Sequence, residues 1–202
     1  RAGRGGRVRG GCPDVAGWEG WSPVEILKKG DMIEGFRVER ELGRGAASVI
    51  YLVYDPKTKQ IRALKHVERG DAKDDRFLVQ AEAEYKVAVQ LDHPGIRKIT
   101  RCIKKGSLFK TSELYLVMEL VDGRSLDLSL PRTMAQAVHT FEQVARALSH
   151  MHHRGWVHAD MKPNNIVVDG ETHAKIIDLG QSCKVGTIKQ RIQGTPDYIA
   201  PE

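Results

Sequence analysis

Residues 158–165 read His-Ala-Asp-Met-Lys-Pro-Asn-Asn, and this stretch decides how the whole chain is interpreted. It places an acid, a base and an amide close together, as Asp160, Lys162 and Asn165. Two short apolar segments follow it and are predicted to be strands, at 166–168 and 174–177. A single string of this kind also occurs by chance, so its meaning depends on the segments that surround it.

A long helix is predicted immediately before that stretch, over residues 134–152. Thr133 and Gln136 form a capping box at its start, and Gly155 suits the exit of the chain from it. One face of the helix is predicted to be apolar and to need cover from other elements. It consists of Val138, Phe141, Val144, Ala145, Leu148 and Met151.

The N-terminal half carries strand patterns with tight connections, which favours an antiparallel sheet. Phe36, Val38 and Leu42 have strand-like spacing, and further strands are predicted at 49–54, 61–67, 96–103 and 114–120. Turns are predicted at 55–58 and 104–107. A helix is predicted where Phe77, Ala81, Glu84, Val87, Ala88 and Leu91 recur at helical spacing.

A glycine-containing loop, residues 43–48, lies between two of these strands. Dinucleotide-binding folds need a helix after the glycines, so the strand–loop–strand setting argues against that class. Gly43 and Gly45 have no Cβ, which lets backbone N–H groups approach phosphate oxygens closely. A plain glycine hairpin is the alternative for this loop taken alone.

Lys65 lies inside an apolar strand, where a lysine is unusual unless it is paired. Glu84 occupies the apolar face of the first helix, and a carboxylate there is costly unless it meets a cation. We therefore expect Lys65 to pair with Glu84. A purely structural ion pair remains an alternative to a functional one.

Taken in order, these segments resemble the protein kinase family. Residues 158–165 resemble its catalytic loop, Asp178-Leu179-Gly180 its metal-binding motif, and Gly-Thr-Pro-Asp-Tyr-Ile-Ala-Pro-Glu at 194–202 its Ala-Pro-Glu segment. The glycine loop, Lys65 and Glu84 also lie where the family has them, so the similarity covers about residues 32–202.

The resemblance implies an α+β, bilobal protein-kinase-like fold, with a small antiparallel-sheet N-lobe and a mainly helical C-lobe. We expect the N-lobe at 31–121, a partial C-lobe at 122–202 and a disordered Arg/Gly-rich leader at 1–30. The C-lobe of the family continues past the Ala-Pro-Glu segment. We therefore expect the second lobe to be incomplete in this chain, and residues 1–202 alone to be inactive.

The resemblance also implies roles in phosphoryl transfer from ATP with Mg²⁺. Asp160 receives the proton of the acceptor hydroxyl and Lys162 neutralises the γ-phosphate, while Thr195 contacts both. Lys65 holds the α- and β-phosphates, and Glu84 fixes Lys65. Asn165 and Asp178 are the Mg²⁺ ligands. The ATP-binding residues are Leu42, Gly43, Arg44, Gly45, Ala46, Ala47, Ser48, Ile50, Ala63, Lys65, Met118, Glu119, Val121 and Val167.

Two features of the resemblance indicate Ser/Thr acceptors in protein substrates. Lys162 stands two residues after Asp160, and the segment after the catalytic loop reads Gly-Thr-Pro-Asp-Tyr. The sequence as a whole is similar to the bacterial branch of eukaryotic-like kinases. A catalytically inactive, kinase-like regulatory or scaffold protein is the alternative, although retention of the full set of polar site residues argues against it.

Four positions depart from the family pattern, and one of them, Gly95 in place of an asparagine, is expected to matter little. Ser48 replaces the third glycine of the loop, from which we expect weaker or slower ATP handling, and Leu179 replaces a phenylalanine with another apolar residue. Ala159 replaces an arginine that pairs with a phosphate on the activation loop. Alanine cannot form that pair, so we expect activity to be independent of such a phosphate.

Composition sets the remaining limits. Hydrophobic residues make up 41% and charged residues 29%, which is an ordinary globular balance. The net charge is +6, and four of those charges are arginines within the first ten residues, so nucleic-acid binding is not expected. For the Arg/Gly-rich segment at residues 1–30, RNA binding is the alternative to a disordered leader without function.

No membrane segment is apparent, which predicts a cytoplasmic protein, although an anchor in downstream sequence remains open. Three cysteines with no metal or disulfide spacing are expected to be reduced thiols, at Cys12, Cys102 and Cys183. Oligomeric state has no sequence signal.

Overall fold

A computed structural model of the chain describes residues 26–45, 47–69, 75–107, 110–188 and 194–199. The N-terminal part is a six-stranded sheet in which every paired strand is antiparallel. Its strands are β1 (Met32–Ile33), β2 (Phe36–Gly45), β3 (Ser48–Asp55), β4 (Gln60–Glu68), β5 (Ile99–Ser107) and β6 (Lys110–Met118), in the spatial order β1-β2-β3-β4-β6-β5.

Both faces of this sheet are buried, and each carries its own apolar cluster. Helix α1 (Asp75–Ala88) packs on the inner face against β4, β5 and β6. The outer face carries a second cluster built around Phe36, Val38 and Tyr51. Leu27, which belongs to the predicted leader at 1–30, packs against that outer cluster. The folded part therefore includes at least some of residues 26–30.

The C-terminal part is built on one long helix, α2 (Met134–His153). Beside it lies a three-stranded antiparallel sheet made of β7 (Gly123–Ser125), β9 (Ile166–Asp169) and β10 (Ala174–Ile176), in the order β10-β9-β7. Strands β8 (Trp156–Val157) and β11 (Cys183–Lys184) form a separate two-stranded pair. Together with the N-terminal sheet, this is the bilobal α+β architecture that the sequence predicts.

The first turn of α2 confirms the predicted N-cap, with one difference. Thr133 Oγ1 accepts from the Gln136 backbone N–H at 3.2 Å. In a capping box the glutamine side chain returns to the backbone of the cap residue, but here Gln136 Oε1 accepts from Arg132 N, one residue earlier, at 2.9 Å. Gly155 has φ 75° at the other end of the helix, a value that favours glycine.

The predicted apolar face of α2 is only partly covered by the described residues. Val138 and Phe141 are 60% and 54% exposed, whereas the buried residues are Thr140, Val144, Ala147 and Met151. At Ala147 the helix lies close to the backbone of Gly95, where an added Cβ would be 3.2 Å from the Ala147 Cβ. Of the predicted face, Val144 and Met151 are buried and Leu148 packs against the core. Val138 and Phe141 are the part of that face that the described residues leave without cover.

The strand predicted at 96–103 begins later and runs further, because β5 is the edge strand of the sheet. Its polar residues were predicted to be a turn, but an edge strand accommodates them. Lys104 Nζ lies 2.8 Å from Glu82 Oε2, and Lys105 pairs with Glu34. The strand predicted at 114–120 likewise shifts to Lys110–Met118.

Residues before β5 connect the two lobes instead of joining the sheet. Ile96 forms an isolated parallel bridge with Ile176 of β10. Arg97 N donates to Ile176 O at 2.9 Å, and Ile176 N donates to Gly95 O at 2.9 Å. Glu119, directly after β6, donates its backbone N–H to Lys98 O at 2.9 Å. The segment 93–99 is thus joined to the strand that leads to Asp178.

In the part of the chain that the structure describes, no helix combines the length and the apolar character that a membrane span requires. Cys102 and Cys183 are free thiols, and Cys12 lies outside the described residues.

Candidate active site

The glycine loop is the hairpin between β2 and β3, as the strand–loop–strand prediction requires. Gly43 is opposite Ile50, and Gly45 is opposite Ser48. A Cβ on Gly45 would lie 2.9 Å from Ser48 Oγ, so a larger residue at position 45 would require the Ser48 side chain to move. The Arg44 guanidinium lies 3.0 Å from the Glu41 carboxylate. Ala46 lies outside the described residues.

Lys65 and Glu84 form the expected ion pair. Lys65 lies in β4 and Glu84 on the buried face of α1, and Lys65 Nζ is 2.7 Å from Glu84 Oε2. The side chains are 17% and 1% exposed, respectively. Burial by itself lowers the pKa of Lys65, but the carboxylates of Glu84 and Asp178 outweigh it and raise that pKa. The ammonium is therefore held charged inside the lobe.

Arg97 is a member of this charge cluster that the sequence analysis missed. Its Nη2 lies 3.6 Å from Glu84 Oε1, and its side chain is 11% exposed. Burial lowers the pKa of Arg97, and Glu84, Asp178 and Glu119 oppose that effect. The available signal was the same as for Lys65: a cation next to apolar residues, here between Ile96 and Ile99.

The catalytic-loop stretch leaves α2 through Gly155 and β8. His158 is buried, and its Nδ1 accepts from Asp160 N at 3.3 Å. Burial, opposed in part by Asp178, lowers the pKa of His158, which favours a neutral ring. Ala159, between His158 and Asp160, has φ 62°, an uncommon value for a residue other than glycine. His158 is therefore a buried support for the backbone at Asp160.

Asp160, Lys162 and Thr195 meet around one hydroxyl group. Thr195 Oγ1 donates to Asp160 Oδ1 at 3.0 Å and accepts from Lys162 Nζ at 3.0 Å. Lys162 Nζ also lies 3.0 Å from Asp160 Oδ2. The three predicted residues are thus brought together although 35 positions separate Asp160 from Thr195.

Asn165 and Asp178 lie in neighbouring segments, because Ile177 N donates to Asn165 O at 3.0 Å. The Asn165 side chain is buried, and its Nδ2 donates to Asp160 O at 2.8 Å, so its amide oxygen is the group left for a cation. Asp178 Oδ1 accepts from Gly180 N at 2.8 Å. Burial tends to raise the pKa of Asp178, but Lys65, this hydrogen bond and Arg97 lower it. The carboxylate is therefore ionised, and this pair of oxygen donors fits Mg²⁺.

Four of the predicted ATP-binding residues belong to one apolar cluster or pack against it. Ala63 and Met118 are buried in the inner-face cluster, and Leu42 and Ile50 pack against it. Val167 is buried in β9, opposite Lys175 and Ser125. The N–H of Glu119 is taken by Lys98 O, so its carbonyl is the backbone group that an adenine amino group could use. Val121 is half-buried just beyond, in the connection to β7.

Comparison with known proteins gives a consistent result. A family model described as a protein kinase domain matches residues 36–202. The chain is 30% identical to serine/threonine-protein kinase AtPK1/AtPK6 of Arabidopsis thaliana over 177 residues, covering 84% of this chain and 37% of the relative. It is 31% identical to an Aurora kinase of Candida glabrata, covering 84% and 48%. It is also 31% identical to serine/threonine-protein kinase PknA of Mycobacterium tuberculosis, covering 83% and 41%.

The chain therefore spans between a third and a half of the length of these relatives. The matched residues include the hairpin of the glycine loop, the Lys65–Glu84 pair and the Asp160 loop described above. Members of this family generally use ATP and Mg²⁺, and act on protein substrates. The chain belongs to the protein kinase family, with a protein kinase domain at residues 36–202, and is similar to its serine/threonine members, bacterial ones included.

Proposed function

We propose that the protein carrying this chain is a Ser/Thr protein kinase, which transfers the γ-phosphate of ATP to hydroxyl groups of proteins. The observation that carries the proposal is the Thr195 hydroxyl, which is bound between Asp160 Oδ1 and Lys162 Nζ at 3.0 Å from each. A carboxylate that accepts from a hydroxyl beside an ammonium is the arrangement that an acceptor serine or threonine needs. Residues 31–121 act as the ATP-binding lobe and residues 122–202 as part of the catalytic-loop lobe.

Asp160 orients the acceptor hydroxyl and takes its proton as the oxygen attacks phosphorus. Lys162 lies 3.0 Å from Asp160 and supplies positive charge where negative charge develops during transfer. Thr195 is hydrogen-bonded to both of these side chains through its hydroxyl group. Its bonds link the segment after the catalytic loop to the loop itself, so the acceptor-binding face forms only when both are in place.

Lys65 binds the α- and β-phosphates, and Glu84 fixes the direction of its ammonium. The two side chains are buried and already lie 2.7 Å apart, so little rearrangement of this pair is needed when the nucleotide binds. The backbone of residues 43–48 covers the phosphates. The adenine ring lies in the apolar slot formed by Leu42, Ile50, Ala63, Met118 and Val167, with the backbone of Glu119 and Val121 at its edge.

Asn165 and Asp178 would hold Mg²⁺ through one amide oxygen and one carboxylate. When bound, the cation neutralises phosphate charge and helps to align the transferred group. The structure supports this assignment through the bonds that orient both side chains, Asn165 Nδ2 to Asp160 O and Gly180 N to Asp178 Oδ1.

The acceptor class is tested by phosphoamino-acid analysis. The full-length protein is incubated with Mg²⁺, γ-labelled ATP and a mixture of protein substrates, and labelled proteins are hydrolysed in acid. We expect label in phosphoserine and phosphothreonine and none above background in phosphotyrosine. Label mainly in phosphotyrosine would contradict the assignment of acceptor class.

Activity is expected to be independent of phosphorylation at Ser182 and Thr187, because Ala159 offers no guanidinium to a phosphate. Ser182 Oγ is buried without a hydrogen-bond partner in the described residues, so its removal costs little. Lys184, a possible alternative partner, lies over the Trp156 ring at 3.9 Å. The double variant Ser182→Ala/Thr187→Ala should keep kcat within tenfold of the parent.

A phosphatase-treated parent is the matched control for that variant and should give the same rate. A loss of tenfold or more in either sample, roughly 1.4 kcal/mol of barrier, would show that a phosphate orders the segment. Lys189 and Arg191, which are further possible phosphate partners, lie outside the described residues.

A further inference from the structure

Arg97 is a buried cation that the proposed mechanism does not use. Its guanidinium lies on the inner side of the N-terminal sheet, with Nη2 3.6 Å from Glu84 Oε1. Lys65 takes the other oxygen of the same carboxylate, Oε2. Glu84, 1% exposed, thus lies between two cations: Lys65 is hydrogen-bonded to Oε2, and Arg97 faces Oε1 at ion-pair distance without a hydrogen bond.

The backbone of Arg97 is fixed to a different part of the molecule from Glu84. Arg97 N donates to Ile176 O at 2.9 Å, and Ile176 belongs to the strand that ends two residues before Asp178. Glu84 belongs to α1, which packs on the N-terminal sheet. The Arg97–Glu84 ion pair therefore connects the helix that orients Lys65 with the strand that positions Asp178.

The charges of this cluster balance only when Arg97 is counted. Lys65 and Arg97 carry positive charge, and Glu84 and Asp178 carry negative charge, with Lys65 and Arg97 both acting on Asp178. Without Arg97, two partly or fully buried carboxylates would face one ammonium, and an unbalanced buried charge is strongly unfavourable.

Packing alone does not account for an arginine at this position. Arg97 Nε is buried and has no hydrogen-bond partner in the described residues, which is a cost that an apolar side chain of similar size would avoid. A buried ion pair is often no more stabilising than apolar residues of the same volume. The presence of an arginine at this position is therefore best explained by its ion pair with the Glu84 carboxylate.

We propose that Arg97 is a positioning residue for phosphoryl transfer: it holds Glu84, and with it α1, in the position where Glu84 orients Lys65 toward ATP. The proposal rests on the proposed kinase function, because Lys65 is the group whose position it controls. Arg97 does not itself touch the nucleotide or the acceptor. Its effect reaches the reaction through Glu84.

Three variants of the full-length protein test this. Arg97→Leu removes the charge, Arg97→Lys keeps it, and Arg101→Leu is the matched control. Arg101 lies four residues further on and stacks over Phe36 at 5.1 Å, on the outer face of the sheet. We expect Arg97→Leu to lower kcat/KM for ATP about tenfold. We expect Arg97→Lys and Arg101→Leu to stay within about threefold of the parent. A purely structural role would not give this recovery of kcat/KM by lysine.

A double-mutant cycle on the unfolding equilibrium tests the route through Glu84 without using activity. Arg97→Leu should destabilise the parent more than it destabilises Glu84→Gln, by at least fivefold in the equilibrium constant, on the order of 1 kcal/mol. Equal effects in both backgrounds would overturn the proposal. So would a folded Arg97→Lys variant whose kcat/KM falls tenfold or more.

If Arg97→Leu does not fold, the test rests on kcat/KM for ATP of the Arg97→Lys variant. A value within about threefold of the parent supports the proposal, and a tenfold loss overturns it. If the parent itself transfers no phosphate, the proposed function fails. The unfolding cycle still reports whether Arg97 and Glu84 are coupled, so the two failures are distinguishable.

Discussion

Replacing Asp160 with asparagine is expected to lower kcat by about 100-fold or more while leaving KM for ATP within about threefold. Asparagine keeps the shape of the side chain but can neither take the proton of the acceptor hydroxyl nor carry its negative charge. Asp160 contacts Thr195 and Lys162 and has no assigned role in nucleotide binding. The loss should therefore fall on the transfer step.

Asp169→Asn is the matched control for this substitution. Asp169, the last residue of β9, accepts from the backbone N–H groups of Glu171 and His173, both at 2.9 Å, and its other oxygen lies 3.2 Å from His173 Nδ1. An asparagine can make the same turn bonds, so kcat should stay within about twofold of the parent. A parent-like kcat for Asp160→Asn would remove Asp160 from the mechanism.

Replacing Lys65 with methionine should lower kcat/KM for ATP by about 100-fold or more, with a rise in KM. Methionine fills a similar volume but leaves the α- and β-phosphates without their ammonium. Glu84 keeps Arg97 at 3.6 Å as its remaining cation, so we expect Lys65→Met to fold, but with a lower stability than the parent. Steady-state kinetics at several ATP concentrations separate the two parameters, and the thermal midpoint reports folding.

Lys86→Met supplies the comparison for Lys65→Met. Lys86 is on α1 but is 66% exposed, and it pairs with Glu82 at 2.7 Å. An exposed pair of this kind contributes little, so kinetics and stability should hardly change. If Lys65→Met left kcat/KM for ATP as little changed as Lys86→Met does, the phosphate-binding role of Lys65 would be incorrect.

Much of the site was predictable because burying a charged side chain without a partner of opposite charge is energetically unfavourable. A lysine inside the apolar strand β4 and a glutamate on the apolar face of α1 each needed a partner, and they meet at 2.7 Å. The hairpin at Gly43 and Gly45 followed from strand patterns on both sides. These predictions depended on local periodicity and on the expense of buried charge.

Other features depended on tertiary contacts that local patterns do not contain. The strands β8 and β11 are two residues long, too short to show a sequence period. They are strands only because the fold brings residues 156–157 and 183–184 side by side. The close contact of Gly95 with Ala147, which buries Ala147 of α2, also joins segments that lie far apart in the sequence. Arg97 was missed because its partner, Glu84, was already assigned to Lys65.

The central claim is that the site transfers phosphate and does more than bind nucleotide. It is tested most directly by measuring Mg-ATP binding and single-turnover transfer to a protein substrate in one preparation of the full-length protein, beside Asp160→Asn. The account predicts that both proteins bind Mg-ATP with similar affinity, that the parent transfers label to serine or threonine, and that Asp160→Asn transfers at least about 100-fold more slowly. Binding of Mg-ATP by the parent with no transfer to protein would contradict it and identify a kinase-like regulatory protein.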